Sequence, residues 1–248
     1  MKFTSIADRW VNCALGRGDD GIIESDDGAV YEYIGTKPEG HASNRRFNAR
    51  GTLTLKANGA GPLVLNGQYA VSSSFGSSRL ILDGDGEGVL DGIVSPGLLG
   101  SVVKRGTGTW EMNSAANTYE YATVVEAGTL VVGGVLPGDV IVKAGATLKL
   151  KPGTLIKRAL TLEPGATLVY DNAAGTEPAT VWGAVALNGT LALTRRVKAA
   201  DGKLTVIASE SGVTGAFTTL PEGLRPPKKA EDGEVVFESP IGFVIIIK

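Results

Sequence analysis

The chain has 248 residues, a formal net charge of −2 and a hydrophobic fraction of 43 %, so one elongated domain can bury a sizeable core. The near-neutral charge excludes a basic nucleic-acid surface, and the lone Cys13 excludes a disulfide framework and a cysteine-based metal site. His41 is the only histidine, which excludes catalytic designs that need two and makes zinc chemistry improbable.

Residues 1–20 are predicted to form an N-terminal capping helix. Apolar residues recur at helical spacing between Phe3 and Leu15, and Gly16 follows as a stop signal. Such an amphipathic helix would cover the open end of a stacked-strand core, or alternatively dock onto a partner subunit. The integrin-type tripeptide Arg17-Gly18-Asp19 is interpreted as a turn, and its use is left open.

Residues 21–248 are predicted to form a parallel β-helix. The first strands are expected at 22–23 and 29–34, followed by a loop over 35–46, and regular coils begin at Phe47. C-terminal closing strands are expected from about residue 204. The apolar final strand Phe243–Ile247 must be buried or paired with a neighbour, because an exposed apolar edge invites association.

The run from Asp83 to Glu87 resembles a calcium loop. Carboxylates stand at loop positions 1, 3, 5 and 9 (the last being Asp91), and glycine stands at position 6. Position 12 is Val94, where the loop needs a bidentate glutamate, and no helices flank the segment. A calcium site is therefore the weaker interpretation, and an acidic turn between two strands is the favoured one.

A short phrase of a glycine turn followed by an alternating strand returns throughout the central region. Its marker glycines are separated by steps of 20, 17, 20 and 24 residues, a loose period typical of a solenoid. Side chains two positions apart share one face of a strand, so one apolar row per copy points inward. The markers are Gly108, Gly128, Gly145, Gly165 and Gly189.

No single coil can bury its apolar row alone, so the coils are expected to stack in parallel. Leu130, Leu148, Leu168 and Leu191 should then lie one above another in an internal ladder. We predict an all-β, single-stranded parallel β-helix, right-handed because parallel crossovers overwhelmingly are. The alternative is an antiparallel sandwich or barrel, which would require more Asn-Gly hairpin turns than the pairs at Asn58, Asn66 and Asn188 supply.

The positions expected to point outward beside the ladder form a mixed, mostly non-acidic face. A glycosidase needs two carboxylates about 5–10 Å apart, and this face offers no such pair. We therefore expect no catalytic, cofactor-binding or metal-binding residues there. The positions are Thr54, Glu111, Val131, Lys149, Val169 and Ala192.

The segments 104–110, 117–119 and 124–132 resemble the autotransporter-associated β-strand repeat. They follow its pattern of Lys-x-Gly-x-Gly-Thr, then Asn-Thr-Tyr, then Val-x-x-Gly-Thr-Leu-x-Val. Glu120 and Tyr121 depart from the Thr-Gly that is usual in the second part. The resemblance implies a secreted or surface β-helical stalk in bacteria, and it implies no catalytic residues.

These observations favour a non-enzymatic bacterial extracellular or surface rod that acts as a passenger, adhesin-like protein or display module. One alternative is a fibre or filament subunit joined through its end strands, and a second is a polysaccharide lyase or glycosidase on the same fold. The expected partners are the chain itself, end to end, or host or cell-surface glycans and proteins. No export signal and no membrane span is visible in the sequence.

Overall fold

The protein is all-β in this computed structural model, with no helix in the part that it describes. Most strands are short and pair in parallel with strands some 20 residues away, as the glycine period predicts. The described residues are 1–17, 21–72, 78–95, 100–198, 202–225, 228–229, 235–238 and 244–248.

The strands of the described residues are numbered in chain order. The first half contains β1 (Lys2–Phe3), β2 (Ile22–Ser25), β3 (Ala29–Tyr33), β4 (His41–Ser43), β5 (Arg46–Arg50), β6 (Thr52–Ala57), β7 (Leu63–Leu65), β8 (Tyr69–Ser72), β9 (Ser78–Asp83), β10 (Glu87–Leu90), β11 (Gly100–Lys104), β12 (Thr109–Met112), β13 (Thr123–Val125) and β14 (Thr129–Val132). The second half contains β15 (Val135–Leu136), β16 (Val140–Val142), β17 (Thr147–Leu150), β18 (Leu155–Ile156), β19 (Leu160–Leu162), β20 (Thr167–Tyr170), β21 (Ala179–Val181), β22 (Val185–Leu187), β23 (Thr190–Leu193), β24 (Lys203–Ser209), β25 (Val213–Gly215), β26 (Lys228–Lys229), β27 (Val235–Glu238) and β28 (Val244–Ile247).

These strands form four sheets that run along the stack. Sheet A holds ten strands, in the order β1, β3, β6, β9, β11, β13, β16, β19, β22 and β25. Sheet C holds eight strands, in the order β4, β7, β10, β12, β14, β17, β20 and β23. The third side is divided between sheet B (β2, β5 and β8) and sheet D (β15, β18, β21, β24, β28, β27 and β26).

Each coil contributes one strand to sheet A, and the complete coils add one strand to sheet C and one to the third side, except that the coils of β9 and β11 have no strand on the third side. The described residues therefore build ten coils, which we number by their sheet A strands from β1 to β25. With parallel strands about 4.8 Å apart, the stack is roughly 43 Å tall. This architecture confirms the predicted parallel β-helix; its right-handed winding stays a prediction from the crossover rule.

The internal ladder of sheet C runs as the sequence predicts. Leu130 pairs with Leu148, Leu148 with Leu168, and Leu168 with Leu191, and all four side chains are buried. Trp110 continues the ladder one coil below Leu130. The four leucines thus lie one above another, which confirms the architecture on the residues chosen for it.

Gly88 makes room for the largest side chain of this ladder. It pairs with Trp110 in the next coil, and a Cβ atom at Gly88 would lie 2.5 Å from the indole ring. The indole is fully buried, and its Nε1 donates a hydrogen bond to the carbonyl of Asp83 at 2.9 Å. The indole of Trp110 therefore fills the space that a side chain at Gly88 would need.

The predicted N-terminal capping helix is wrong. Phe3 lies in β1, which pairs with β3, and Ile6 is buried in the core. The chain then turns at Asp8–Val11, where Trp10 adopts a φ of 71° and exposes 52 % of its surface. If this segment were a helix, the backbone N–H and C=O groups on the free edge of β3 would lack partners. Pairing with β1 satisfies them, so the segment begins with a strand although its apolar spacing suits a helix.

The N-terminal segment still covers the end of the stack, as an irregular cap. Buried Arg45 donates hydrogen bonds from Nη1 to the carbonyls of Leu15 and Gly16, at 3.2 and 3.4 Å. The Asp8 carboxylate accepts a hydrogen bond from the backbone N–H of Asn44 at 2.8 Å. These contacts fix the cap against the turn between β4 and β5.

Two further expectations need correction. The predicted loop over 35–46 contains β4, the first strand of sheet C. Thr54 does not belong to the outward row of sheet C; it lies in sheet A, is mostly buried, and pairs with Val30 and Ile81. Sequence alternation reveals that a residue points outward, but it does not reveal which sheet the residue joins.

The C-terminal strands close sheet D by a change of direction. β24 pairs in parallel with β28, and β28 pairs antiparallel with β27, which in turn pairs with β26. The predicted strand 243–247 corresponds to β28, while Phe243 itself lies outside the described residues. Both edges of β28 are therefore occupied within the chain.

Candidate functional site: the buried polar side chains of the repeat coil

The outward row of sheet C does not bring acidic groups together. One carboxylate, Glu111, stands on it, and the Lys151 ammonium donates a hydrogen bond to that carboxylate. Lys149 forms an ion pair with Asp171 at 2.8 Å. Along this row the register brings no two carboxylates into neighbouring positions, and the remaining members are Ala42, Val64, Val89, Val131, Val169 and Ala192.

The acidic turn proposed for calcium is held by contacts between coils. Asp83 forms an ion pair with Lys56 at 3.1 Å. Asp85 accepts a hydrogen bond from the Thr107 hydroxyl at 2.7 Å, and the hydrogen bonds from Thr107 lower the pKa of this carboxyl. Among the described residues, no group of three or more acidic, histidine or cysteine side chains could hold a metal ion.

Two surface grooves accompany these turns. A polar groove of about 420 Å³ follows the corner between sheets A and C, and Asp85, Glu87 and Thr107 belong to its lining. A more apolar groove of about 440 Å³ lies at the C-terminal end of sheet C, between Leu193 and Leu224. Neither contains a set of side chains that defines a reaction.

Of the tripeptide at 17–19, Gly18 and Asp19 lie outside the described residues.

Lys104 is the most unusual residue of the repeat coil. It occupies a position in sheet A that pairs with Leu82 below and Val125 above, and it is fully buried. Its Nζ donates hydrogen bonds to the carbonyls of Arg105, Gly106 (2.9 Å) and Ala127 (3.2 Å). Its methylene stem thus continues the aliphatic ladder, while the ammonium ties the turn of its own coil to the next turn.

The burial of Lys104 changes its titration. Desolvation lowers the pKa of this ammonium to about 8, and the negative charges of Asp83 and Asp85 partly oppose the shift. The three carbonyl acceptors explain why the repeat tolerates a cation inside its wall, since a buried charge without such partners would be strongly destabilising.

Asn117 repairs the third side of the coil where strand pairing is interrupted. Its Oδ1 accepts a hydrogen bond from the Val94 N–H at 2.9 Å, in the coil below. Its Nδ2 donates to the carbonyl of Val135 at 3.0 Å, in the coil above, and to that of Ser114 at 3.2 Å. The buried amide therefore replaces a strand between sheets B and D.

Tyr119 is a third buried polar side chain of the repeat coil, after Lys104 and Asn117. Its ring is buried in the core, and its hydroxyl forms a hydrogen bond of 2.5 Å with the Thr123 hydroxyl, which is also buried. Desolvation raises the pKa of Tyr119 well above its ordinary range. The Asn-Thr-Tyr phrase of the repeat thus supplies one amide that joins coils and one aromatic ring that fills the corner of the core.

A second asparagine plays the same part three coils further on. Asn172 is buried, accepts a hydrogen bond from the N–H of Arg195 at 2.8 Å, and donates to the Arg195 carbonyl at 2.7 Å. In the sequence, Lys104 and Asn117 are visible as residues of the repeat pattern, but their roles in joining coils are not. Asn172 has no such signal beyond being a polar residue in a turn.

The comparisons with known proteins agree with this geometry. Residues 102–132 match the family model of the passenger-associated-transport-repeat, a stretch that contains Lys104, Asn117 and Tyr119. This match confirms the predicted resemblance over one repeat, which spans β11 to β14. The searches of curated proteins and of solved structures return no match.

The fold is thus a parallel β-helix, one stretch of which matches a passenger-associated-transport-repeat, and buried side chains of that stretch join coils. Within the described residues, no helix is long and apolar enough to cross a membrane.

Proposed function

We propose that the chain is a non-enzymatic structural module of a bacterial exterior, a short β-helical rod that spaces or displays other elements. The observation that supports this role is the repeat coil, whose buried lysine and asparagine both bond to neighbouring coils. The passenger-associated-transport-repeat at 102–132 supports a secreted or surface location.

Location gives the first test. In bacteria that produce the chain, an antibody raised against it should label intact cells or detect it in the medium. Labelling that requires cell lysis would contradict the proposal. An inner-cell protein detected in the same samples serves as the control for lysis.

The polysaccharide-acting enzyme is the competing function on this fold. The purified protein is incubated with uronate-containing and neutral polysaccharides, and new reducing ends and unsaturated products are measured. We expect neither, because the outward row of sheet C presents one carboxylate, already bonded to Lys151. Cleavage of any of these polymers would contradict the proposed role.

The filament alternative depends on the end strands. Val244–Ile247 is paired on both sides, by β24 and by β27, so this strand offers no free edge to a second copy. We therefore favour a discrete module over a filament joined through β28. Light scattering over a range of protein concentrations should show one species of constant mass, whereas a mass that rises with concentration would favour the filament.

A further inference from the structure

One position per coil, at the C-terminal end of the sheet A strands, holds a charge whose sign alternates through eight successive coils. The strand register joins Lys2 to Glu32, Glu32 to Lys56, and Lys56 to Asp83. The residues next to Lys104, Val125, Val142 and Leu162 continue it, because these four align across β11, β13, β16 and β19. This charge column consists of Lys2, Glu32, Lys56, Asp83, Arg105, Glu126, Lys143 and Glu163.

The column contains four ion pairs between neighbouring coils. The N···O distances are 3.3 Å for Lys2–Glu32 and 3.1 Å for Lys56–Asp83. They are 2.6 Å for Arg105–Glu126 and 2.5 Å for Lys143–Glu163. Only 20 % of the residues of the chain are charged, so an unbroken charged column does not follow from composition.

Charges of the column also act on the neighbour with which they form no ion pair. The pKa of Arg105 is raised, first by its hydrogen bond to Glu126 and also by the negative charge of Asp83 on the other side. The pKa of Glu32 is lowered mainly by its hydrogen bond from Asn58, with a small contribution from Lys56. Charges therefore act across the junctions Glu32–Lys56 and Asp83–Arg105, where the column has no ion pair.

The apolar core is poorly suited to fix which coil stacks on which. Lys104 holds the inward position next to the column in the fifth coil, but the neighbouring coils hold aliphatic residues there, such as Leu82, Val125, Val142 and Leu162, which can replace one another. Away from Lys104 and the Gly88–Trp110 contact, a coil that stacked on the wrong neighbour would still bury its aliphatic side chains. In the charge column the same error would place a cation on a cation or an acid on an acid.

We propose that the charge column is a register key, which specifies the order and alignment of the coils through like-charge repulsion in every arrangement displaced by one coil. Alternating charges select partners in coiled coils on the same principle. The key spans coils 1–8 and ends at Asn188, which follows β22 in the next coil.

A charge swap within one pair separates this proposal from four independent pairs. In Lys143→Glu combined with Glu163→Lys, the bond between positions 143 and 163 is kept with its polarity reversed. The new glutamate at 143 then faces Glu126 in the coil below. The register key predicts a melting temperature several degrees below that of the native protein, whereas an unchanged melting temperature would refute the proposal.

The matched control is the neutral double variant Lys143→Gln with Glu163→Gln. For independent pairs the neutral variant should melt below the swap, because the swap keeps its ion pair. For a register key the two should melt within a degree or two of each other, because one attraction and one repulsion cancel in the swap. The deficit of the swap should shrink at high salt, since the screening length falls from about 10 Å at 0.1 M to about 3 Å at 1 M.

A second measurement keeps the test decisive should the swap fail to fold. Glu126→Gln, Lys143→Gln and their combination form a double-mutant cycle on two neighbours that form no ion pair with each other in the structure. The register key predicts that the melting-temperature losses of the two single variants, added together, exceed the loss measured in the double variant. Strictly additive losses would refute it.

Discussion

The buried polar residues of the repeat coil act where the backbone cannot pair with itself. Lys104 is a cation inside a hydrophobic wall, so its contribution to stability depends on pH. Its pKa is about 8 in the folded protein, against 10.5 for an ordinary lysine. Between these values the unfolded chain binds a proton that the folded chain does not, so the contribution of Lys104 to stability rises with pH.

Lys104→Met should abolish this dependence. We expect the free energy of unfolding of the native protein, minus that of the variant, to increase by about 2–3 kcal/mol between about pH 7 and pH 10. Urea denaturation at a series of pH values measures the difference, in which the titration of all other groups cancels. Lys37→Met, at an exposed lysine, is the control, and its free energy of unfolding should change with pH in parallel with that of the native protein. If the free energy of unfolding of Lys104→Met also changed in parallel with that of the native protein, the predicted effect of burial on Lys104 would be contradicted.

Asn117→Leu tests the amide that replaces a strand. The substitution leaves the Val94 N–H and the Val135 carbonyl without partners in a buried place. We expect a loss of about 2–4 kcal/mol in the free energy of unfolding, since each buried unpaired group costs about 1–3 kcal/mol. Asn48→Leu, which removes an exposed bond to Glu24, should cost less than about 1 kcal/mol. Equal losses at the two sites would show that Asn117 does not join the coils.

Calcium should leave the acidic turn unchanged. Asp83 is engaged by Lys56 and Asp85 by Thr107, so an ion would have to displace contacts that already hold adjacent coils together. The melting temperature should be the same in excess calcium as in a chelator. A rise of several degrees, absent from an Asp85→Asn variant, would establish the calcium site that the sequence pattern suggested.

At the scale of elements, Gly88 and Trp110 show that neighbouring strands in the ladder are fitted to each other. Gly88→Ala should cost about 1–3 kcal/mol of stability, because the added methyl group overlaps the buried indole. The same change in a Trp110→Leu background should cost much less, since the smaller side chain vacates the space. Chemical denaturation of the four proteins of this cycle measures the coupling; additive losses would mean that the two residues do not share a space.

The strands that follow the glycine turns were predicted well because their pattern is local. Alternation places Leu148 and Leu150 on one face of a strand, whichever sheet the strand joins. The N-terminal segment failed for the opposite reason. Its apolar spacing suits a helix, but the free edge of β3 is a partner that only the folded chain provides. The same limit concealed the sheet that Thr54 joins, because its register with Val30 and Ile81 exists only in the stacked coils.

For the whole molecule, a stack in which each coil contacts mainly its neighbours should respond locally to damage. Leu148→Ala should remove about 2–5 kcal/mol from the stability of coils 6–8, because it opens a cavity in the middle of the ladder. Hydrogen exchange followed by mass spectrometry should show faster exchange in residues 123–170 than in the native protein. Exchange in residues 29–57 should change much less, and an equal change throughout would indicate one indivisible cooperative unit.

The sequence alone determined the repeating coil, the leucine ladder and the resemblance to the passenger repeat. These features depend on alternation and spacing, which are local properties of the chain. Tertiary structure decided the irregular cap, the antiparallel closure at β28, the repair of the wall by Lys104 and Asn117, and the charge column. Apart from the antiparallel pairing of β27 with β28, these features join residues about 20 or more positions apart, and only the stacking of coils brings such residues within bonding distance.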